Sequence, residues 1–126
     1  MDTKELLSRY AAGQRDFREL KLLAVNLRSV NLSGANLSGA DLTKANLTKA
    51  NLSRANLTGA TLTGANLTET NLAKANLTNA DLSGVDLSDV NLSQTYLQGA
   101  IMPGGVSLNS VANHLKPSLN QEQIAD

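Results

Sequence analysis

The chain is 126 residues long, carries 11 basic and 11 acidic side chains and so has no net charge, and contains no cysteine. Such a balance argues against a surface built for nucleic acid, and the missing thiols exclude disulfides and thiolate chemistry. Aromatic residues are 2% of the total, too few for an ordinary globular core, so burial has to come from aliphatic side chains.

Taken in order, residues 1–126 are expected to form a single domain. Residues 2–13 predict a helix and its stop. Asp2 with Glu5, or Thr3, can cap the first turn, Leu6, Leu7, Tyr10 and Ala11 form one apolar face, and Gly13 ends it. This helix is expected to cover the open end of whatever follows, with Leu20 and Leu23 packing against it. Residues 15–104 form the repeat treated below. Residues 105–116 predict a closing helix that Ser107 could cap, with Leu108, Val111, Ala112 and Leu115 on one face, and residues 117–126 a disordered tail. No apolar run approaches membrane-spanning length and no signal-peptide core is visible, so the expected location is cytoplasmic.

The repeat is a leucine at every fifth residue from Leu22 to Leu97. Phe17 and Met102 extend the phase to 18 pentapeptides. The expected core is therefore Phe17, Leu22, Leu27, Leu32, Leu37, Leu42, Leu47, Leu52, Leu57, Leu62, Leu67, Leu72, Leu77, Leu82, Leu87, Leu92, Leu97 and Met102. A period of five fits neither helix nor strand. On a helix each leucine lies about 140° from the last, and on a flat strand successive leucines alternate faces. Only a chain that bends towards the leucine side once per repeat buries them all, which defines a β-solenoid. Asn-Leu-Ser and Asn-Leu-Thr read as three-residue strands with leucine inward, and two residues make each corner. Glycines at 39, 59 and 99, and at 64, 84 and 104, recur at 20-residue spacing, which gives four pentapeptides per coil; Lys44 interrupts the second column.

The run ANLSG-ADLTK-ANLTK-ANLSR-ANLTG from Ala35 to Gly59 resembles the pentapeptide-repeat family, whose consensus is A(D/N)LXX, and the match extends roughly from Arg15 to Pro103. The resemblance implies an all-β solenoid: a right-handed quadrilateral parallel β-helix of about 4.5 coils, with leucine and alanine filling the interior. It also implies an N-terminal helical cap joined through Tyr10–Phe17. The Ile-Met-Pro-Gly run at 101–104 is similar to the family's terminator, ahead of a short C-terminal helix.

Candidate chemistry is sparse. His114 stands without a carboxylate cluster beside it, no general base accompanies any serine, and the glycines lack the order of a phosphate loop. No enzyme activity, cofactor or metal is expected. The many Asn-Leu-Ser/Thr triplets match the glycosylation sequon only because the repeat writes them; stacked Asn and Ser/Thr side chains are expected to bond backbone and one another between coils. Threonine stacks at Thr43 and Thr63, with Thr61 beside them, and at Thr48 and Thr68 resemble ice-binding arrays, but Lys44, Lys49 and Glu69 at the corners break their regularity. Some family members resemble DNA and act on topoisomerases such as gyrase. That alternative needs an acidic, long rod, whereas the repeats here are neutral and short.

Residues 1–75 carry ten basic and six acidic side chains, and residues 76–126 one and five. The solenoid should therefore be basic at one end and acidic at the other, which would suit a monomer or weak head-to-tail self-association. The expected role is a structural or protein-interaction module whose partner is another protein, not nucleic acid or membrane. Lys44, Lys49, Arg54 and Lys74 are the expected contact residues.

Overall fold

The computed structural model describes residues 1–104. Its helix, α1, spans Thr3–Ala11. The Asp2 carboxylate accepts the Glu5 amide N–H at 2.8 Å, and Arg9 pairs with Glu5 one turn along at 2.6 Å. Leu6 is fully buried and Leu7 and Tyr10 partly so. Ala11, expected on the apolar face, is exposed, since the chain turns away at Gly13, whose φ of +97° ends the helix. Two hydroxyls tie α1 down: Thr3 donates to the Asn26 carbonyl at 3.3 Å and Tyr10 to the Ser33 carbonyl at 2.6 Å. Both carbonyls face the start of the solenoid, where no earlier coil can satisfy them.

Beyond α1 the chain winds. Parallel bridges join residues 20 apart, from Asp16–Asn36 through Asn51–Asn71 to Asp81–Ile101, so one coil takes four pentapeptides. Each coil has four sides. Side 1 carries Phe17, Leu37, Leu57, Leu77 and Leu97; side 2 Leu22, Leu42, Leu62, Leu82 and Met102; side 3 Leu27, Leu47, Leu67 and Leu87; side 4 Leu32, Leu52, Leu72 and Leu92. The sides are shorter than the expected three-residue strands, with a single bridging residue each, because a corner intervenes every five residues. Backbone bonding is nevertheless dense: Leu32 donates to the Asn51 carbonyl at 2.8 Å, Gly34 to Ser53 at 2.9 Å and Asn51 back to Val30 at 2.8 Å.

The corner is a four-residue turn. Ala35 N–H bonds the Leu32 carbonyl at 3.0 Å, and Gly34, third in the turn, has φ +73°, the pattern of a type II turn. Glycine is not required there. Lys44, which breaks the glycine column in the sequence, has φ 59°, and Lys49, Arg54, Glu69, Lys74 and Asn79 hold 57–62°. The cost of left-handed backbone, about 1–2 kcal/mol per non-glycine residue, is offset by the bonds each corner makes to its own and neighbouring coils.

Phe17 and the sixteen leucines spaced five apart from Leu22 to Leu97 are buried; Met102 is only partly buried. Leu20 packs against this core, but Leu23, expected to do the same, is 55% exposed: it follows the inward Leu22 and so points outward. Alanine at the second inward position leaves room for the leucines. Where threonine replaces it, at Thr70 and Thr95, the buried hydroxyl donates to the Leu47 and Leu72 carbonyls at 2.7 Å. Where valine replaces it the corner varies. The turn bond is 2.9–3.1 Å under alanine, 3.1 Å at Val85, 3.3 Å at Val25 and Val30, and absent at Val90. The helix and tail expected at 105–116 and 117–126, with His114, lie outside the described residues.

Candidate interaction surface

The repeat residue before each inward leucine organises the outer surface. Its Asn or Asp Oδ1 accepts the backbone N–H two residues on, as in Asn51 with Ser53 at 3.0 Å and Asn71 with Ala73 at 3.0 Å. Where threonine follows the leucine, its hydroxyl donates to the same oxygen: Thr48 to Asn46 and Thr78 to Asn76, both at 2.6 Å. These bonds run within one repeat. Between coils the outer side chains pair more sparsely than the sequence led us to expect, with Ser33–Ser53 at 3.1 Å and Asn91–Asn71 at 3.3 Å among the described residues. The spacing of two is an Asx turn, and Asn-x-Ser/Thr was the signal for it.

Aspartate fills the same role with a charge. The Thr43 hydroxyl, then the Thr43 amide, hold the Asp41 carboxyl below the usual carboxylate range; the Ser83 hydroxyl and amide do so for Asp81, and the Ser88 amide foremost for Asp86. At Asp16 the Arg18 guanidinium has the same effect.

The four expected contact residues all occupy corners and are exposed. Arg54 and Lys74 stand 20 residues apart in one column along the far edge of side 4, and Lys49 sits on its near edge. Lys44 lies a further corner away, between sides 2 and 3. The fold thus brings three of the four to one side. Ion pairs among the described residues are Glu5–Arg9 and Asp16–Arg18, so none of these three is neutralised. Between them runs the column Asn31, Asn51, Asn71, Asn91, with Ser33, Ser53, Ala73 and Ser93 beside it. Each asparagine Oδ1 accepts a backbone N–H; Asn91 Nδ2 donates to Asn71, and the Nδ2 groups of Asn31, Asn51 and Asn71 are left as outward donors. Composition did not single out this column, because asparagine also lines sides 1 and 3; side 4 differs in having three of the four cations on its rims, against two on either neighbour.

Another recess, about 740 Å³, opens beside α1 and is lined by Arg9, Asp16, Phe17, Arg18, Glu19 and Gly39. Both arginines there are already paired. Among the described residues no group of three or more His, Asp or Glu side chains is gathered for a metal, and no helix is long and apolar enough to cross a membrane.

The description "Pentapeptide repeats" fits residues 26–64, 50–89 and 65–104 in eight copies. The chain belongs to the pentapeptide-repeat family. It is similar to the crystal structure of a pentapeptide-repeat protein, Rfr23, from the cyanobacterium Cyanothece 51142 (41% identity, TM-score 0.68, covering 71% of this chain and 60% of that one). It is also similar to HetL from Nostoc sp. strain PCC 7120, described as involved in heterocyst differentiation regulation (37% identity, TM-score 0.61, 79% of this chain and 44% of that one). This chain thus spans less than two thirds of either relative's length. A more distant likeness, 19% identity at TM-score 0.54, is to QnrB1, a plasmid-mediated fluoroquinolone resistance protein, and shows the fold alone. No curated protein matches in sequence. These neighbours make the solenoid a right-handed β-helix.

Proposed function

We propose that the chain is a non-enzymatic protein-interaction module: a quadrilateral solenoid of about 4.5 coils, capped by α1, that acts in the cytoplasm by holding side chains at fixed corners. The observation that carries this reading is side 4, where three exposed cations stand without ion-pair partners on a hydrogen-bonded backbone. Rigid presentation lowers the ordering cost of association. HetL's involvement in heterocyst differentiation regulation is in keeping with a binding rather than a catalytic part.

Affinity capture from the source organism's lysate tests it, with the Lys49→Glu/Arg54→Glu/Lys74→Glu variant alongside. A protein retained by the natural chain and lost by the variant is the expected result. Nothing retained by either, at low and high salt, would sink the interaction reading.

A further inference from the structure

Resting on that reading, we infer that side 4 docks an acidic, carboxylate-rich polypeptide segment, lying diagonally from Lys49 across Asn51 and Asn71 to Arg54 and Lys74. The floor offers donors, since each asparagine in it has its oxygen committed to an internal turn. Its relief is low, because the residues after the leucines are serine and alanine. The rims are cationic at the second and third coils and unpaired. Carboxylates meet all three conditions: they accept from amide N–H groups, pair with guanidinium and ammonium, and lie flat on a shallow face.

The diagonal follows from the near rim. Its column reads Ser29, Lys49, Glu69, Asp89, so an acidic chain is attracted at Lys49 and repelled above it. A second copy of this chain does not fit. A two-fold axis along the solenoid sets Lys49 against Arg54, and one across it sets the Arg54/Lys74 column against itself or Glu69 against Asp89. Nucleic acid would need stacking aromatics, and side 4 has none.

The probe is a fluorescent poly-L-glutamate peptide of about 20 residues, titrated at about 10 mM salt, where exposed charges act over about 30 Å. Arg54→Gln/Lys74→Gln and Lys49→Gln should each weaken binding, the double variant roughly tenfold. Glutamine is already tolerated in that corner column at Gln94, with φ 56°. Glu69→Gln should tighten binding. At about 0.15 M salt, with a screening length of about 8 Å, Lys44→Gln should change little. The side-chain amide NMR signals of Asn51 and Asn71 should shift on titration. Equal weakening by Lys44→Gln, unmoved asparagine amides, or tighter binding of a single-stranded oligonucleotide of equal charge would overturn the assignment. A lysate protein captured equally by the natural chain and by Arg54→Gln/Lys74→Gln would overturn it while leaving the interaction module standing.

Discussion

Side 3 offers the same corner twice, two coils apart, with different results. At Asn46–Lys49 the pattern is regular: Leu47 donates to the Asn66 carbonyl at 2.8 Å, Lys49 to the Thr68 carbonyl at 2.9 Å, and Lys49 has φ 61°. At Asp86–Asp89 the register slips. The Asn66–Asp86 bridge is missing, Glu69 donates to the Asp89 carbonyl instead of Ser88, Asp89 is not left-handed, and Leu67 N–H finds no acceptor among the described residues. Two local changes accompany the slip. Val90 stands where alanine closes other corners, and Asp89 stacks over Glu69 with like charge. Valine alone does not open a corner, since Val85 keeps its turn bond at 3.1 Å and Ala24 and Ser29 stay left-handed before Val25 and Val30; the corner that opens is the one where valine coincides with stacked like charges.

Several substitutions separate the two corners. Leu62→Lys, in the regular part, places an unpaired charge among buried leucines and should cost more than about 4 kcal/mol, unfolding the chain cooperatively; an unchanged melting temperature would mean the column is not packed. Leu62→Ala should cost about 3–5 kcal/mol and Leu87→Ala, at the loosened corner, nearer 2 kcal/mol, both measured by denaturant unfolding. Val90→Ala loses about 1.6 kcal/mol of apolar burial but should regain the turn bond, about 1 kcal/mol, for a net loss well below the usual one. Its clearer sign is hydrogen exchange: the Leu67 amide should exchange faster than Leu47 in the natural chain and slow towards it in the variant.

The carboxylate Asx turns give a smaller, pH-dependent effect. Asp41 and Asp81 titrate below the ordinary range when folded, so their contribution is complete above the unfolded value of about 3.9 and is lost as pH falls through the folded one. Asp41→Asn/Asp81→Asn keeps the accepting oxygen and should leave neutral-pH stability within about 1 kcal/mol while flattening the acid limb of the unfolding curve. An acid limb identical to the natural chain's would mean these carboxylates are not held by their turns.

Much of this was legible in the sequence because period five has one geometric solution and the 20-residue glycine spacing fixes the coil. The corner conformation was less so. Glycine suggested it, yet Lys44, Lys49 and Arg54 adopt it equally, since hydrogen bonds to neighbouring coils outweigh the residue's own preference. Leu23 does not pack as expected, because the position straight after an inward leucine points outward whatever side chain fills it. The candidate surface was half legible: the four cations could be picked out, but only the winding decides that Lys44 belongs elsewhere and that asparagines separate Lys49 from Arg54.

The four-sided winding has a consequence for how such chains lengthen. Inserting or deleting 20 residues adds or removes one whole coil and returns every later residue to the side it held before. Losing a single pentapeptide keeps the core intact, since each leucine still points inward, but rotates everything downstream by a quarter turn. After such a deletion between residues 55 and 70, Lys74 would leave the column of Arg54 while the fold survived. Repeat number modulo four is therefore a specificity determinant in its own right, invisible to any measure of stability.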